Sequence, residues 1–526
     1  MQTGRGVVYA RNGGAASSQP LAVSAAISIL KQGGSFIDAA IALSAVLTVV
    51  EPAGSHLGGD AFLVTHHKAS KTNLAFNGSG ESSHAATPEN YVDGIPLHGY
   101  KAGTVPGLVS TWFEAHGRYG TLPISQLLAQ AIDFAENGFP ASAGFVRKME
   151  AHLVAYPDTQ LFAGLGIRGK IKIGDLIVQK DLARSLKEIA ADGRSAFYEG
   201  RIASQLVKGS EGWFSAEDLK AHTTRVLDPL SIKYRDITIY GQPPPSQGMV
   251  LMEELLINER FNVAELSEAD RIHLGVESKK ISFVDRYEVL ADPEIVTVNT
   301  ERILSKDHID RRVQGISMDS AAVDIAPVGE GSDTTYFLVS DAQGNAVSWI
   351  QSVFYAYGSS WVIPETGIIL NNRLTGFVID PKAVNFIAPG KRPAHTLNAF
   401  TAVRADGSLY LVGGTPGGNV QVQSNLQLIT SIIDLKLSVQ EAVEAPRWQH
   451  LEAPGLYNEV EAGPGVLQIE DRVPANVFEE LRARGHDVLA LPAWGHGSAA
   501  QLMEVLENGT FAFGSDPRCE GHASGL

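Results

Sequence analysis

The run Gly331-Ser332-Asp333-Thr334-Thr335-Tyr336-Phe337-Leu338-Val339-Ser340 decides how the rest of the chain is read. A small, turn-prone Gly-Ser-Asp passes into Thr-Thr and then into aromatic and β-branched residues of the kind that favour strands. Beyond Asp341-Ala342-Gln343-Gly344-Asn345 lies a second apolar run, Ala346-Val347-Ser348-Trp349-Ile350-Gln351-Ser352-Val353. Two such runs joined by a short loop with a glycine predict a β-hairpin whose leading strand starts at Thr334. Cutting the Asp333–Thr334 bond would free an α-amino group beside the hydroxyl of Thr334. With a reference pKa of about 7.7–8.0, that amine can act as base to the hydroxyl near neutral pH. The same residues also read as an ordinary turn and hairpin, so the remainder of the chain must decide between the two.

Composition narrows the field. Over 526 residues, 44% are hydrophobic and 19% charged, the balance of a globular chain rather than a disordered one. Lys and Arg total 42 against 58 Asp and Glu, a net charge of −16. Such a surface repels phosphate, which argues against nucleic acid and anionic membrane as partners. A single cysteine, Cys519, excludes an intramolecular disulfide framework and a cysteine metal cluster. Met1-Gln2-Thr3-Gly4-Arg5-Gly6-Val7 has no apolar signal core. The apolar stretch Ala39 to Val50 is too short to span a membrane and reads as a buried helix. The expectation is a cytoplasmic protein.

Taken in order, Ser18-Gln19-Pro20 starts a helix that Gly33-Gly34 stops, and Ser35 with Asp38 opens a second in the manner of a capping box. Glu51-Pro52-Ala53-Gly54-Ser55-His56-Leu57-Gly58-Gly59-Asp60 is a glycine-rich turn feeding a strand. It lacks the Lys and Ser/Thr of a phosphate loop, so close backbone approach in the core is expected. Helices follow Pro106-Gly107 and Leu122-Pro123, and further helical patterns cover 179–191, 202–207, 215–221, 249–258 and 270–287. The span 298–331 is polar and weakly patterned, as a linker would be. Past the hairpin, strands at 400–403 and 409–412 lead through Gly413-Gly414-Thr415-Pro416-Gly417-Gly418-Asn419 into helices at 420–434 and 438–445. Strands and helices in blocks predict an α+β fold of antiparallel sheets between helices.

Several landmarks occur in a fixed order: Gly33-Gly34 with Asp38-Ala39-Ala40, Glu51-Pro52 to Phe62, Val105-Pro106-Gly107, Pro244 to Gly248, and Asp285-Arg286 with Asp292-Pro293. They continue with Asp333-Thr334-Thr335, Gly367 to Asn372, Lys391-Arg392-Pro393, Pro416-Gly417-Gly418 and Asp516-Pro517-Arg518. Together these residues resemble the gamma-glutamyltransferase family of N-terminal nucleophile hydrolases over nearly the whole chain. The resemblance implies an αββα sandwich made as one precursor and cut at Asp333–Thr334. The expected products are a large fragment 1–333 and a small fragment 334–526 that stay associated. A homo-oligomer of that heterodimer is left open, and no metal or organic cofactor is implied.

Carried over by position, the resemblance makes Thr334 the nucleophile and Gly417 and Gly418 the oxyanion loop. Ser352 stands where the family often has a threonine that bonds the nucleophile. The departures from the family set the substrate. Phe354 and Gly376 replace the Asn and Asp that hold an α-amino group, no arginine lies in the segment 77–81, and His395-Thr396 replaces a Ser-Ser pair. The span Phe377 to Pro389 is also shorter than the lid of many members. Arg373 occupies a position where the family commonly has Gln, and its guanidinium suits a carboxylate. A structural ion pair is the alternative for Arg373, and a core histidine the alternative for His395. Arg373, His395, Thr396 and Phe354 therefore outline a pocket for a small anionic amide. Among activities in the family, hydrolysis of oxamate to oxalate and ammonia in purine and allantoin breakdown fits best. Cephalosporin-acylase-like hydrolysis, γ-glutamyl hydrolysis or transfer, and an uncut, non-catalytic binding role are the alternatives.

Overall fold

The computed structural model describes residues 4–322, 334–451 and 465–526. The expected hairpin is present: Thr335–Ser340 runs antiparallel to Ala346–Ser352, with Thr335 opposite Gln351. Asp341 Oδ1 closes its turn by accepting the N–H groups of Gln343 and Asn345 at 3.0 Å each. Gly344 supplies the φ of +85° that the turn needs.

The hairpin forms the middle of a seven-stranded sheet. Its order is His522–Gly525, Gly14–Ser17, Thr335–Ser340, Ala346–Ser352, Asp60–His67, Thr72–Asn77 and Arg225–Leu227. A second seven-stranded sheet is built mainly from the C-terminal third, with Ala399–Val403 and Leu409–Gly414 near its centre. Successive strand residues face opposite ways. Phe337, Val339, Val347 and Trp349 accordingly pack on the helices Pro20–Lys31, Phe36–Val50 and Leu108–Tyr119. Tyr336, Leu338 and Ile350 point to the other side and meet Ala399, Val412, Met503 and Phe513 of the second sheet. The far face of that sheet, Ile239, Ala402 and Leu411 among it, is covered by Gly248–Asn258 and Val420–Ile433. The layers run helix, sheet, sheet, helix, the α+β sandwich the sequence predicts.

The helix Phe36–Val50 is buried along its whole length and starts with the expected reciprocal cap, Ser35 Oγ accepting from Asp38 N–H at 3.1 Å and Asp38 Oδ2 from Ser35 N–H at 2.9 Å. Among the described residues, no helix is long and apolar enough to cross a membrane. The glycine-rich turn does bring backbones together. A Cβ on Gly58 would lie 2.1 Å from Ile369 O, and one on Gly59 2.4 Å from Ser352 O.

The span 298–331 departs from expectation. It holds two helices, Thr300–Ile303 and Lys306–Gln314, the second capped by Ser305 Oγ and pinned by the buried His308 and Ile309. Two inward residues in nine are too few to give a visible period. Residues 323–331 of that span, and Asp333 with its bond to Thr334, lie outside the described residues.

Candidate active site

Thr334 is buried at the head of the central strand, and its Oγ1 donates to Ser352 Oγ at 3.2 Å. The pairing register makes this contact: Ser352 ends the neighbouring strand one position beyond Gln351, which stands opposite Thr335. Ser352 Oγ also accepts the Phe354 N–H at 2.8 Å. Phe354 adopts φ +83°, a conformation that costs a bulky residue about 1–3 kcal/mol and persists only where its surroundings hold it. The next residue along, Thr335, donates from Oγ1 to Glu51 Oε2 at 3.1 Å, and Ser18 Oγ donates to the same oxygen at 2.7 Å. Gly54 makes room for this, since a Cβ there would stand 2.8 Å from Thr335 Oγ1.

Gly417 and Gly418 take φ values of +127° and +54°, which favour glycine, and lead into the helix Val420–Ile433. Gln247 holds the loop from behind, its Nε2 donating to Gly418 O at 3.0 Å and to Thr396 O at 2.8 Å. Among the described residues, neither glycine N–H finds an acceptor. Free N–H groups at a helix start can stabilise a developing oxyanion. Thr396 is buried beside them, and among the described residues its Oγ1 has no hydrogen-bond partner.

Arg373, His395 and Asp60 form one fully buried group. Arg373 Nε donates to Asp60 Oδ2 at 3.2 Å, and the guanidinium lies over the Phe354 ring at 4.1 Å. The ion pair that the sequence left as an alternative for Arg373 is therefore present. Asn371 Oδ1 accepts the Arg373 N–H at 3.0 Å, and Asn372 Oδ1 accepts the Tyr355 N–H at 3.1 Å, so the Asn-Asn pair fixes both ends of this corner. His395 Nδ1 accepts the Leu397 N–H at 3.2 Å, which leaves the proton on Nε2 to be donated to Asp60 Oδ2 at 3.3 Å. Burial, and then the Arg373 guanidinium, push the imidazole down to about 4, so His395 is neutral at pH 7. Its N–H is spent on Asp60. The span Phe377 to Pro389 is a short loop tied to itself by Val378 N–H on Asn385 O and Ile387 N–H on Val378 O.

A cavity of about 220 Å³ opens onto Thr334. Ser18, Glu51, Phe145, Lys148, Tyr357 and Pro416 line it, whereas Arg373, His395, Thr396 and Phe354 do not. Sheet order accounts for part of the split, although Glu51 and Tyr357 of the cavity wall come from the segments that also carry Asp60 and Phe354. Ser352 and Asp60 come from strands on one side of Thr335–Ser340, and Ser18 and Glu520 flank the strands on the other. Cys519 also lines this cavity, but burial pushes its thiol up and leaves it a poor nucleophile.

Sequence reasoning missed three contributors. Asp60 carried a readable signal, a charge heading the apolar strand Asp60-Ala61-Phe62-Leu63-Val64. Glu51 was visible only as part of a landmark. Lys148 sits on the helix Ala143–Ala155, whose mixed pattern gives no sign of the site.

Two buried groupings elsewhere have the residue types of metal ligands: His273, Glu277 and His486, and Glu253, Asp285 and His308. In the first, His273 Nδ1 and His486 Nε2 bond each other at 2.7 Å and Glu277 pairs with Lys280 at 2.8 Å. In the second, Asp285 is paired with Arg312 and His308. The atoms of His273, His486, Glu277 and Asp285 are thus committed to one another and to cations, whereas among the described residues neither carboxylate oxygen of Glu253 has a hydrogen-bond partner.

Residues 22–526 match the family model described as Gamma-glutamyltranspeptidase. The chain is 37% identical to the glutathione hydrolase-like YwrD proenzyme of Bacillus subtilis (strain 168), over 89% of this chain and 90% of that one. It is 34% identical to the oxamate amidohydrolase proenzyme of Klebsiella pneumoniae subsp. pneumoniae, over 98% of each. The solved cephalosporin acylase from Bacillus halodurans superposes with a TM-score of 0.92 at 32% identity, covering 100% of this chain and 98% of that one. The chain belongs to the gamma-glutamyltranspeptidase family and is a hydrolase of the N-terminal nucleophile class.

Proposed function

We propose that the chain cuts itself at Asp333–Thr334 into fragments 1–333 and 334–526, and that the freed Thr334 hydrolyses a small anionic amide, with oxamate as the best candidate. One observation carries this reading. The Thr334 hydroxyl donates to Ser352, Ser352 holds the Phe354 N–H, and the Phe354 ring lies 4.1 Å from the Arg373 guanidinium. A buried cation thus stands within a short chain of contacts from the nucleophile, where a carboxylate bonded directly to the reacting carbonyl would need it.

The chemistry runs in two stages. The Thr334 amine takes the proton from Oγ1, which attacks the amide carbon, and the oxyanion settles on the N–H groups of Gly417 and Gly418. The amine returns the proton to the departing ammonia. Water, deprotonated by the same amine, then releases oxalate from the ester on Thr334. Self-cleavage uses the same oxygen: Oγ1 attacks the Asp333 carbonyl, the Asp333–Thr334 peptide bond breaks to leave an ester and the free Thr334 amine, and water hydrolyses that ester to the Asp333 carboxylate. Thr396 supplies a further hydroxyl to the acid end, and His395 serves by holding Asp60.

A second reading, an acylase with a larger leaving group or acyl chain, is favoured by the cavity on the Lys148 side, which exceeds what oxamate fills. The test is direct. Purified protein is run on a denaturing gel, then assayed for ammonia from oxamate and for turnover of a glutaryl amide and a γ-glutamyl anilide. Two bands with oxamate turnover support the first reading. Two bands with turnover of the glutaryl amide alone would replace it with the second, and one inactive band would remove both.

A further inference from the structure

Asp60 takes no part in the steps above. It opens the strand Asp60–His67, whose next residues Ala61, Phe62, Leu63 and Val64 are all fully buried. A carboxylate there pays a desolvation penalty that only good partners offset. Asp60 has three: Gly80 N–H on Oδ1 at 3.1 Å, Arg373 Nε on Oδ2 at 3.2 Å and His395 Nε2 on Oδ2 at 3.3 Å. It also stands directly opposite Ser352 across the ladder, so its position is tied to the same register that places the Thr334 hydroxyl.

Arg373 is a long side chain whose tip must be aimed. Asn371 fixes its backbone N–H, and the Phe354 ring supports the flat face of the guanidinium. Neither sets rotation within the plane. A hydrogen bond at Nε does, because the planar fork turns as one piece about that contact. The conformation of Phe354 adds to the argument. At φ +83° an asparagine would be tolerated more readily than a phenylalanine, so the ring has to be retained by what it touches, and it touches the guanidinium.

We infer that Asp60 is a positioning residue for substrate selection: by aiming the Arg373 guanidinium and holding the Nε2–H of His395, it gives preference to an amide bearing an adjacent carboxylate over the neutral isostere. This rests on the reading of Arg373 as the carboxylate anchor. A purely structural counter-ion would support turnover of both substrates equally, which separates the two roles.

The experiment compares oxamate with oxamide, in which the carboxylate is replaced by a second amide. Self-cleavage, kcat and KM are measured for the wild type, Asp60→Asn, Asp60→Glu, Arg373→Gln and the double variant Asp60→Asn/Arg373→Gln. In Asp60→Asn the ratio of kcat/KM for oxamate over oxamide should fall at least about tenfold, chiefly through the KM for oxamate. The double variant should fall no further than Arg373→Gln, since Asp60 acts through that side chain. Asp60→Glu keeps the charge but displaces it and should lower the ratio at least about threefold, which covers the case in which Asp60→Asn does not fold. Equal loss of both substrates, an unchanged ratio, or additive effects in the double variant would overturn the proposal. So would failure of both Asp60 variants to yield processed protein, which would make Asp60 a folding residue. A wild type without preference for oxamate would remove the anchor reading itself. A preference indifferent to Asp60 would remove only the positioning role.

Discussion

Replacing Ser352 by alanine tests the geometry around Thr334 most directly. Among the described residues, Ser352 Oγ accepts from Thr334 Oγ1 at 3.2 Å and from the Phe354 N–H at 2.8 Å. The first is a neutral bond between buried hydroxyls, with a net value of about 1 kcal/mol. The second matters more, because its loss takes the Ser352 acceptor from a buried backbone N–H, at about 1–3 kcal/mol. Together Ser352→Ala should destabilise the fold by about 2–4 kcal/mol, which a urea titration of the processed heterodimer resolves. Kinetically, losing the hydroxyl that orients the nucleophile should slow self-cleavage about five- to tenfold, since about 1.4 kcal/mol is a factor of ten in rate. Phe354, which carries the Arg373 stacking, also loses the tie to its backbone, so oxamate turnover by whatever protein does mature should fall about a hundredfold. Ser352→Thr keeps the hydroxyl and should restore both rates to within about threefold. The assay is a gel time course of freshly folded precursor, confirmed by intact mass. Self-cleavage at the wild-type rate in Ser352→Ala, with an unchanged urea midpoint, would refute the reasoning.

The other predictions follow from single contacts. Thr334→Ala removes the attacking oxygen and should leave one inactive chain of 56.2 kDa; two bands on a denaturing gel would remove Thr334 from the cleavage step. Gly58→Ala places a Cβ 2.1 Å from Ile369 O, a backbone atom that cannot step aside, so soluble yield and self-cleavage should both collapse; a normally maturing variant would contradict the packing of that turn. Burial pushes the imidazoles of His56 and His496 down to about 3, and burial with Arg373 pushes His395 down to about 4. All three stay neutral in the fold while the unfolded chain takes up protons near pH 6.5, so stability rises with pH across this window and is lost as pH falls from about 6.5 toward 4. At pH 5 each contributes a loss of up to about 2 kcal/mol, and a urea midpoint flat between pH 7.5 and 5 would exclude that account.

What could be read from sequence was local. The hairpin, the Ser35–Asp38 cap and the close contacts of Gly58 and Gly59 depend on residues a few positions apart or on the conformational needs of one glycine. The helix Lys306–Gln314 went unseen because only His308 and Ile309 of it face inward. Arg373 shows the sharper limit. Its residue type announced an anion partner, but the partner in the fold, Asp60, lies 313 positions earlier, and the strand pairing that sets Ser352 opposite Asp60, together with the bridge from Gly58 to Leu370, brings the two segments together. A charge heading an apolar strand and an arginine in place of an uncharged residue were both visible, and what joins them is the order of strands in a sheet.

That order also divides the labour around Thr334. The strands on one side carry Ser352 and Asp60, and through them Phe354, Arg373 and His395; those on the other side bring Ser18, Glu520 and the cavity lined by Lys148. An amide held at Thr334 has two ends that diverge from the carbonyl carbon. With the carboxylate drawn toward Arg373, as proposed, the nitrogen has the cavity lined by Lys148 to enter. On that proposal, selection of the acid rests on the strands that carry Ser352 and Asp60. Substitutions on the Asp60 side should shift that selection without shifting tolerance of the amine, because the nucleophile sits on the strand between the two sides and belongs to neither.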